Sequence, residues 1–168
     1  MLRWIKIALV TTVAAVLLAV GALYYVSRSQ FREGNRLGPE AVEVLENGER
    51  FYLLSLDPAP RKYYESIKKD APKGEDFHDY TTLGKLEITS REGRAVLLRA
   101  LNDGISSSDG AIAACFNPRH GIRAELAGRT VDLVICFECL QIRVYAGARS
   151  TVTTTRSPEA TFNKALKL

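Results

Sequence analysis

Val131-Asp-Leu-Val-Ile-Cys-Phe-Glu-Cys-Leu-Gln141 is the stretch whose reading decides the fold class. Val131, Leu133, Ile135, Phe137 and Cys139 alternate with other residues, the period of a strand with one face on a core. Beyond Cys139 the apolar phase moves to Leu140, Ile142 and Val144, with Gln141 and Arg143 opposite. A slip of one residue in a period-two pattern is the mark of a β-bulge or sharp bend, here at Cys136-Phe-Glu-Cys139. A strand buried on both faces would blur the alternation as well. On either reading Arg129 to Ala146 is one long strand. Gly121 to Ala127 is strand-like too, and the short turn Ala127-Gly128 joins the two as a hairpin.

Outward from this hairpin, Ala111 to Phe116, Arg50 to Leu56 and Leu83 to Thr89 are predicted strands. Pro118-Arg-His-Gly121 reads as a tight turn between two strands, with Pro fixing φ and Gly permitting a positive one. Pro39 to Glu46 reads as a short amphipathic helix stopped by Asn47-Gly48. Ser90 caps a helix that gathers Leu97, Leu98 and Leu101 and ends at Asn102-Asp-Gly104. Ser157-Pro158-Glu159 opens a terminal helix. Residues 57–79 carry three prolines and many charges, so they read as a surface excursion with one helical turn near Tyr63 to Lys69. Strands and helices mixed with hairpin-length links predict an α+β domain over residues 39–168, with a mainly antiparallel sheet and a few flanking helices.

The N-terminus has a different character. Ile7 to Val26 runs twenty residues without a charge, enough to span a hydrocarbon core of about 30 Å as a helix. Arg3 and Lys6 precede it, and Tyr24 and Tyr25 fall where the chain would meet the interface. Residues 1–28 are therefore expected to be a signal-anchor transmembrane segment, with 29–38 a polar linker. The rival is a cleaved signal peptide cut near Ala22, but the apolar run continues past that point. Either way the remainder of the chain is exported, and the expected location is the cytoplasmic membrane with the soluble domain outside the cytoplasm. The net charge is +4, of which Arg3 and Lys6 supply half. The remaining Lys and Arg are interspersed with acids, which does not make the clustered basic face that nucleic acid requires.

All three cysteines and one of the two histidines lie between Cys115 and Gln141. Three chemistries compete for them, beside plain burial of the cysteines as small core residues. Cys115, His120, Cys136 and Cys139 match the donor set of a closed structural zinc site, although a straight strand would point Cys136 and Cys139 to opposite faces. A disulfide suits an exported domain. Cys115 with either later cysteine fits best, because three residues of extended chain span about 10 Å and bridged Cα atoms lie below about 7 Å. A reactive thiol has less support, since the Cys-Phe-Glu-Cys pair is flanked by strand sequence rather than by a helix N-terminus. A Cys–His pair with Glu138 or Asp132 orienting His120 is allowed by residue type alone. Arg119, His120 and Arg123 form a candidate anion-binding cluster, because guanidinium groups fork onto carboxylate or phosphate. His78, in a charged loop, is expected to be solvated.

Cys-Phe-Asn-Pro-Arg-His-Gly-Ile-Arg-Ala at 115–124 and the 131–141 block, together with Leu53-Leu-Ser-Leu-Asp-Pro58 and Leu83-Gly-Lys85, resemble a group of small bacterial proteins that look exported or membrane-anchored. The likeness runs from about Phe51 to Tyr145. It implies a shared fold and a shared site at Cys115, His120, Cys136 and Cys139, and it implies no activity. The expectation is thus a membrane-anchored module of the cell envelope that binds a protein or small ligand without catalysis. The alternative is a metal- or thiol-dependent enzyme using the Cys/His cluster.

Overall fold

The Cys136–Cys139 stretch is the turn of a hairpin, not a bulge in one strand. In the computed structural model, which describes residues 13–27 and 35–167, the predicted long strand breaks into β5, Arg129–Cys136, and β6, Gln141–Ala146. They pair antiparallel, with Cys136 opposite Gln141. Leu140 takes a φ of +58° to close the turn. The apolar phase slips at this point because the chain reverses, and the two halves belong to different strands.

The chain divides into two compact units, residues 1–34 and 35–168. In the first, α1 covers residues 13–27 and its side chains are exposed along its length. No helix among the described residues is long and apolar enough to cross a membrane. Residues 1–12 and 28 of the predicted anchor segment, and 29–34 of the predicted linker, lie outside the described residues.

The second unit begins inside the predicted linker. Asn35 is buried because its amide is used up by backbone: Nδ2 donates to the carbonyls of Ile105 and Thr153, and Oδ1 accepts from the Thr153 N–H at 2.7 Å. Leu37 is buried in the core two residues later. The remaining elements are α2 (Pro39–Asn47), β1 (Arg50–Pro60), α3 (Arg61–Ser66), β2 (Asp76–Phe77), β3 (Tyr80–Glu87), α4 (Arg91–Ser106), β4 (His120–Leu126), β7 (Ala148–Thr153) and α5 (Glu159–Leu166). Seven strands form one sheet in the order β2-β3-β1-β4-β5-β6-β7, every pair antiparallel. The α+β expectation therefore stands, as does the β4–β5 hairpin through Ala127-Gly128, both in positive φ.

Three local expectations are corrected. Residues 111–116 make no strand; they run as an irregular, largely exposed segment. The predicted turn at 118–121 is no turn either, since His120 and Gly121 already belong to β4. Helix α4 does not stop at Asn102-Asp-Gly104 but continues to Ser106. Gly104 is there for packing: a Cβ on it would lie 2.5 Å from Pro158 Cγ and 2.7 Å from Thr154 Oγ1. Strand β7 has no counterpart among the predicted elements, because Ala-Arg-Ser-Thr-Val-Thr shows one buried apolar side chain, Val152, and is an edge strand.

One face of the sheet carries the larger core. Phe51, Leu53, Ile122, Ala124, Val131, Leu133, Ile135 and Phe137 meet Val44 and Leu45 of α2, Leu97 and Leu101 of α4, and Phe162 of α5. The other face carries a smaller one: Leu54, Leu56 and Val134 covered by Phe77 and Tyr80. The excursion after β1 therefore folds back as a lid on this second face. A Cβ at Gly121 would lie 2.8 Å from the Phe77 ring, so the lid needs that glycine to sit down. With both faces covered, β5 is buried from Val131 to Cys136.

Candidate functional site

Strand alternation separates the residues that the sequence groups together. On β4, His120, Ile122 and Ala124 face the helices, whereas Gly121 and Arg123 face the lid. His120 is 2 % exposed, between the rings of Phe137 and Phe162. Its Nε2 lies 2.7 Å from Asn163 Oδ1, which as a carbonyl oxygen accepts, so Nε2 carries the proton. Burial pushes this imidazole below its ordinary range; the Asn163 bond and Glu159 pull the other way and Arg119 adds to the lowering. A histidine held neutral favours the fold fully above the unfolded value of about 6.5, and that favour is lost as pH falls through the lower folded value. Thermal midpoints measured from pH 7.5 down to 5 are expected to decline, and to decline less steeply in H120Q.

The two later cysteines are bonded to each other. This corrects the expectation that Cys136 and Cys139 are the poorest pair: the long span applies to extended chain, and the hairpin turn brings their Cα atoms to 5.1 Å. Cys115 is a free, exposed thiol. The predicted zinc donor set Cys115, His120, Cys136 and Cys139 is accordingly not assembled. Two of its sulfurs are joined, its imidazole is sealed in an aromatic pocket on the helix face, and no group of three or more such donors stands ready among the described residues.

The Cys136–Cys139 turn is held from outside by the segment before β4. Ala113 N–H donates to Cys139 O at 3.1 Å, and Gln141 Nε2 donates to Ala113 O at 2.9 Å. Asn117 N–H donates to Cys139 Sγ at 3.2 Å, and Asn117 O lies 3.2 Å from Cys136 Sγ. Cys139 N–H in turn points at Cys136 Sγ, also at 3.2 Å. Each sulfur therefore faces a backbone N–H.

Beside this turn lies an open cleft of about 370 Å³ lined by Pro58, Ala59, Pro60, Tyr63, Asn117, Arg119 and Glu138. The end of β1 builds its apolar wall. Buried Asp57 fixes that wall by accepting from Ala59 N–H and from the Tyr64 hydroxyl at 2.7 Å. Leu56 N–H donates to Arg119 O and ties the opposite wall to the same strand. Of the predicted anion cluster only Arg119 faces this cleft. Arg123 is engaged on the other face of the sheet, where the register of the β4–β5 hairpin sets it opposite Asp132.

There Arg123 forks onto Asp132, Nε to Oδ1 at 2.8 Å and Nη2 to Oδ2 at 2.7 Å. His78 Nε2 donates to the same Oδ2 at 2.8 Å, and its ring stacks on Tyr145 at 3.6 Å. His78 is therefore not a solvated loop residue, and Asp132 does not orient His120. Burial pushes the Asp132 carboxyl up, but the hydrogen bonds and charges of Arg123 and His78 outweigh it and hold the group below its ordinary range. The Arg123–Asp132 pair was legible from the two-residue turn, which sets residues nine apart face to face. The His78 contact joins residues 54 positions apart, and no local pattern announces it.

No protein-family model, curated protein or solved structure matches this chain.

Proposed function

We propose that this chain is an anchored module of the bacterial cell envelope, held at the cytoplasmic membrane by residues 7–26, with its α+β domain outside the cytoplasm, where it binds a partner without catalysis. The observation that carries this reading is the Cys136–Cys139 disulfide. Disulfides persist in oxidising compartments and are rare where glutathione and thioredoxin keep thiols reduced. An apolar N-terminal run followed by a disulfide-bearing domain is consistent with export. The cleft beside the disulfide is the surface we assign to binding. Its prolines and Tyr63 offer a preset apolar wall, and Asn117, Arg119 and Glu138 a polar rim, a combination suited to a short polypeptide segment.

Two experiments on the full chain in a bacterial host test this. Cys115 is an exposed thiol and thus a topology probe. A membrane-impermeant maleimide is expected to label it in cells with a permeabilised outer membrane and an intact inner one; labelling only after lysis overturns the export reading. A photo-crosslinking residue at exposed Glu138 is expected to give a discrete adduct that R119E removes. The same residue at Arg99 on α4 serves as the control. Equal adducts from both positions, or none from 138, overturn the cleft assignment.

A further inference from the structure

We infer that Cys115, Cys136 and Cys139 form a thiol–disulfide exchange site, in which Cys115 attacks the Cys136–Cys139 bond and takes Cys139 as its partner. The free thiol is not remote from the bond. Cys115 lies between Ala113 and Asn117, and both are hydrogen-bonded to Cys139, one to its carbonyl and one to its sulfur. Two residues of chain reach at most about 7 Å, so Cys115 is tethered within that span of two contacts on Cys139. Bridged Cα atoms lie about 4.4–6.8 Å apart, so bonding requires the 111–117 segment to carry Cys115 within that distance of Cys139. That segment is neither strand nor helix, and its hydrogen bonds through Ala113 and Asn117 run to the disulfide turn itself. Phe116 keeps it near: its ring lies under the Arg143 guanidinium at 3.6 Å and its carbonyl accepts from Tyr80 Oη.

The surroundings of the two sulfurs support exchange rather than an inert crosslink. A neutral disulfide gains little from a hydrogen-bond donor, whereas a thiolate gains a charge-assisted bond. Yet Cys139 Sγ faces the Asn117 N–H and Cys136 Sγ faces the Cys139 N–H. Asn117 O, 3.2 Å from Cys136 Sγ, would accept from the S–H of a released Cys136.

The step balances without an outside oxidant. The Cys115 thiolate attacks Cys139 Sγ along the axis of the bond. A Cys115–Cys139 bond forms and the Cys136–Cys139 bond breaks. Cys136 leaves with the electron pair and takes a proton from water, and the resulting S–H hydrogen-bonds to Asn117 O. The chain keeps one disulfide and one thiol, and their positions have changed. Reaction of Cys136 with the Cys115–Cys139 bond restores the first form.

The test is trapping of the full-length protein, without reductant, by iodoacetamide dilute enough that exchange precedes capture, followed by mass mapping of the alkylated cysteine. The expected result is label on Cys136 as well as on Cys115, in a ratio that does not change with protein concentration, and no label on Cys136 in C115S. Label confined to Cys115 throughout overturns the proposal. C136S adds an independent readout that depends on reach alone. Under oxidised glutathione it is expected to form a Cys115–Cys139 disulfide and lose both maleimide-reactive thiols; retention of both, or glutathione adducts only, counts against the site. Should C136S fail to fold, the wild-type mapping decides alone.

Discussion

Asp132→Ala is expected to lower folding stability by about 3 kcal/mol, near the low end of the roughly 3–5 kcal/mol lost when one partner is removed from a buried ion pair. The Asp132 side chain is 7 % exposed and takes every hydrogen bond offered by Arg123 and His78 at this point. Its loss leaves a guanidinium and an imidazole facing each other across an emptied acceptor site. The effect falls toward the low end because the Arg123 and His78 side chains are 36 % and 25 % exposed and can turn partly into water. Chemical denaturation of the wild type and D132A measures the loss. The same carboxylate sets an acid limb. Its folded value is depressed, so its contribution is fully present above the unfolded value of about 3.9 and is lost as pH falls through the lower folded one. In D132N, which keeps one acceptor and cannot ionise, the decline below about pH 4 is expected to be shallower than in the wild type. The variants should also loosen the lid, since His78 is one of its fastenings to β5. Faster amide exchange at Phe77 and Tyr80 than in the helix-face core would show it.

Phe162→Ala is expected to cost about 3–5 kcal/mol, the range for truncating a fully buried aromatic side chain. Phe162 is wholly inaccessible and meets the rings of Phe137 and His120 edge-on, at 5.1 and 5.8 Å. It is the one fully buried side chain of α5, whose other attachments are the partly buried Ala165 and Leu166 and the Asn163–His120 hydrogen bond. Two consequences separate this cavity from an ordinary one. His120 would lose part of the wall that keeps water away, and its acid sensitivity between pH 7.5 and 5 should weaken along with the stability. Phe137, inside the disulfide turn, would lose its cover as well. Equilibrium unfolding gives the cost, and a stability loss below about 1 kcal/mol would mean that α5 is not docked as described.

Much of the fold was legible because its signals are local. Strand-like composition bounded by turn residues marked β1, β3 and β4, and period-two alternation marked β5. Ala127-Gly128 marked the hairpin between the last two, and Ser90 the start of α4. The failures were local signals with more than one cause. The phase change after Cys139 reads equally as a bulge, a doubly buried strand or a reversal, and only the pairing of Cys136 with Gln141 distinguishes the third. Gly104 resembles a helix stop, yet it is a contact surface for Pro158. Strand β7 carries little hydrophobic pattern because an edge strand needs little.

The candidate site divides in the same way. Sequence alone determined that thiols and an imidazole crowd residues 115–139, that an apolar run precedes the domain, and that residues 39–168 are α+β with a mainly antiparallel sheet. It determined these because composition, period and turn chemistry act over a few residues. Tertiary structure decided which of the crowded groups meet. The sheet sends His120 and Arg123 to opposite faces, the hairpin turn joins Cys136 to Cys139, and Ala113 and Asn117 hydrogen-bond that turn while Cys115 between them stays exposed. It also brought His78 to Asp132 from 54 residues away. Such contacts depend on how separate elements pack, and packing answers to the free energy of the whole core rather than to any one stretch of it.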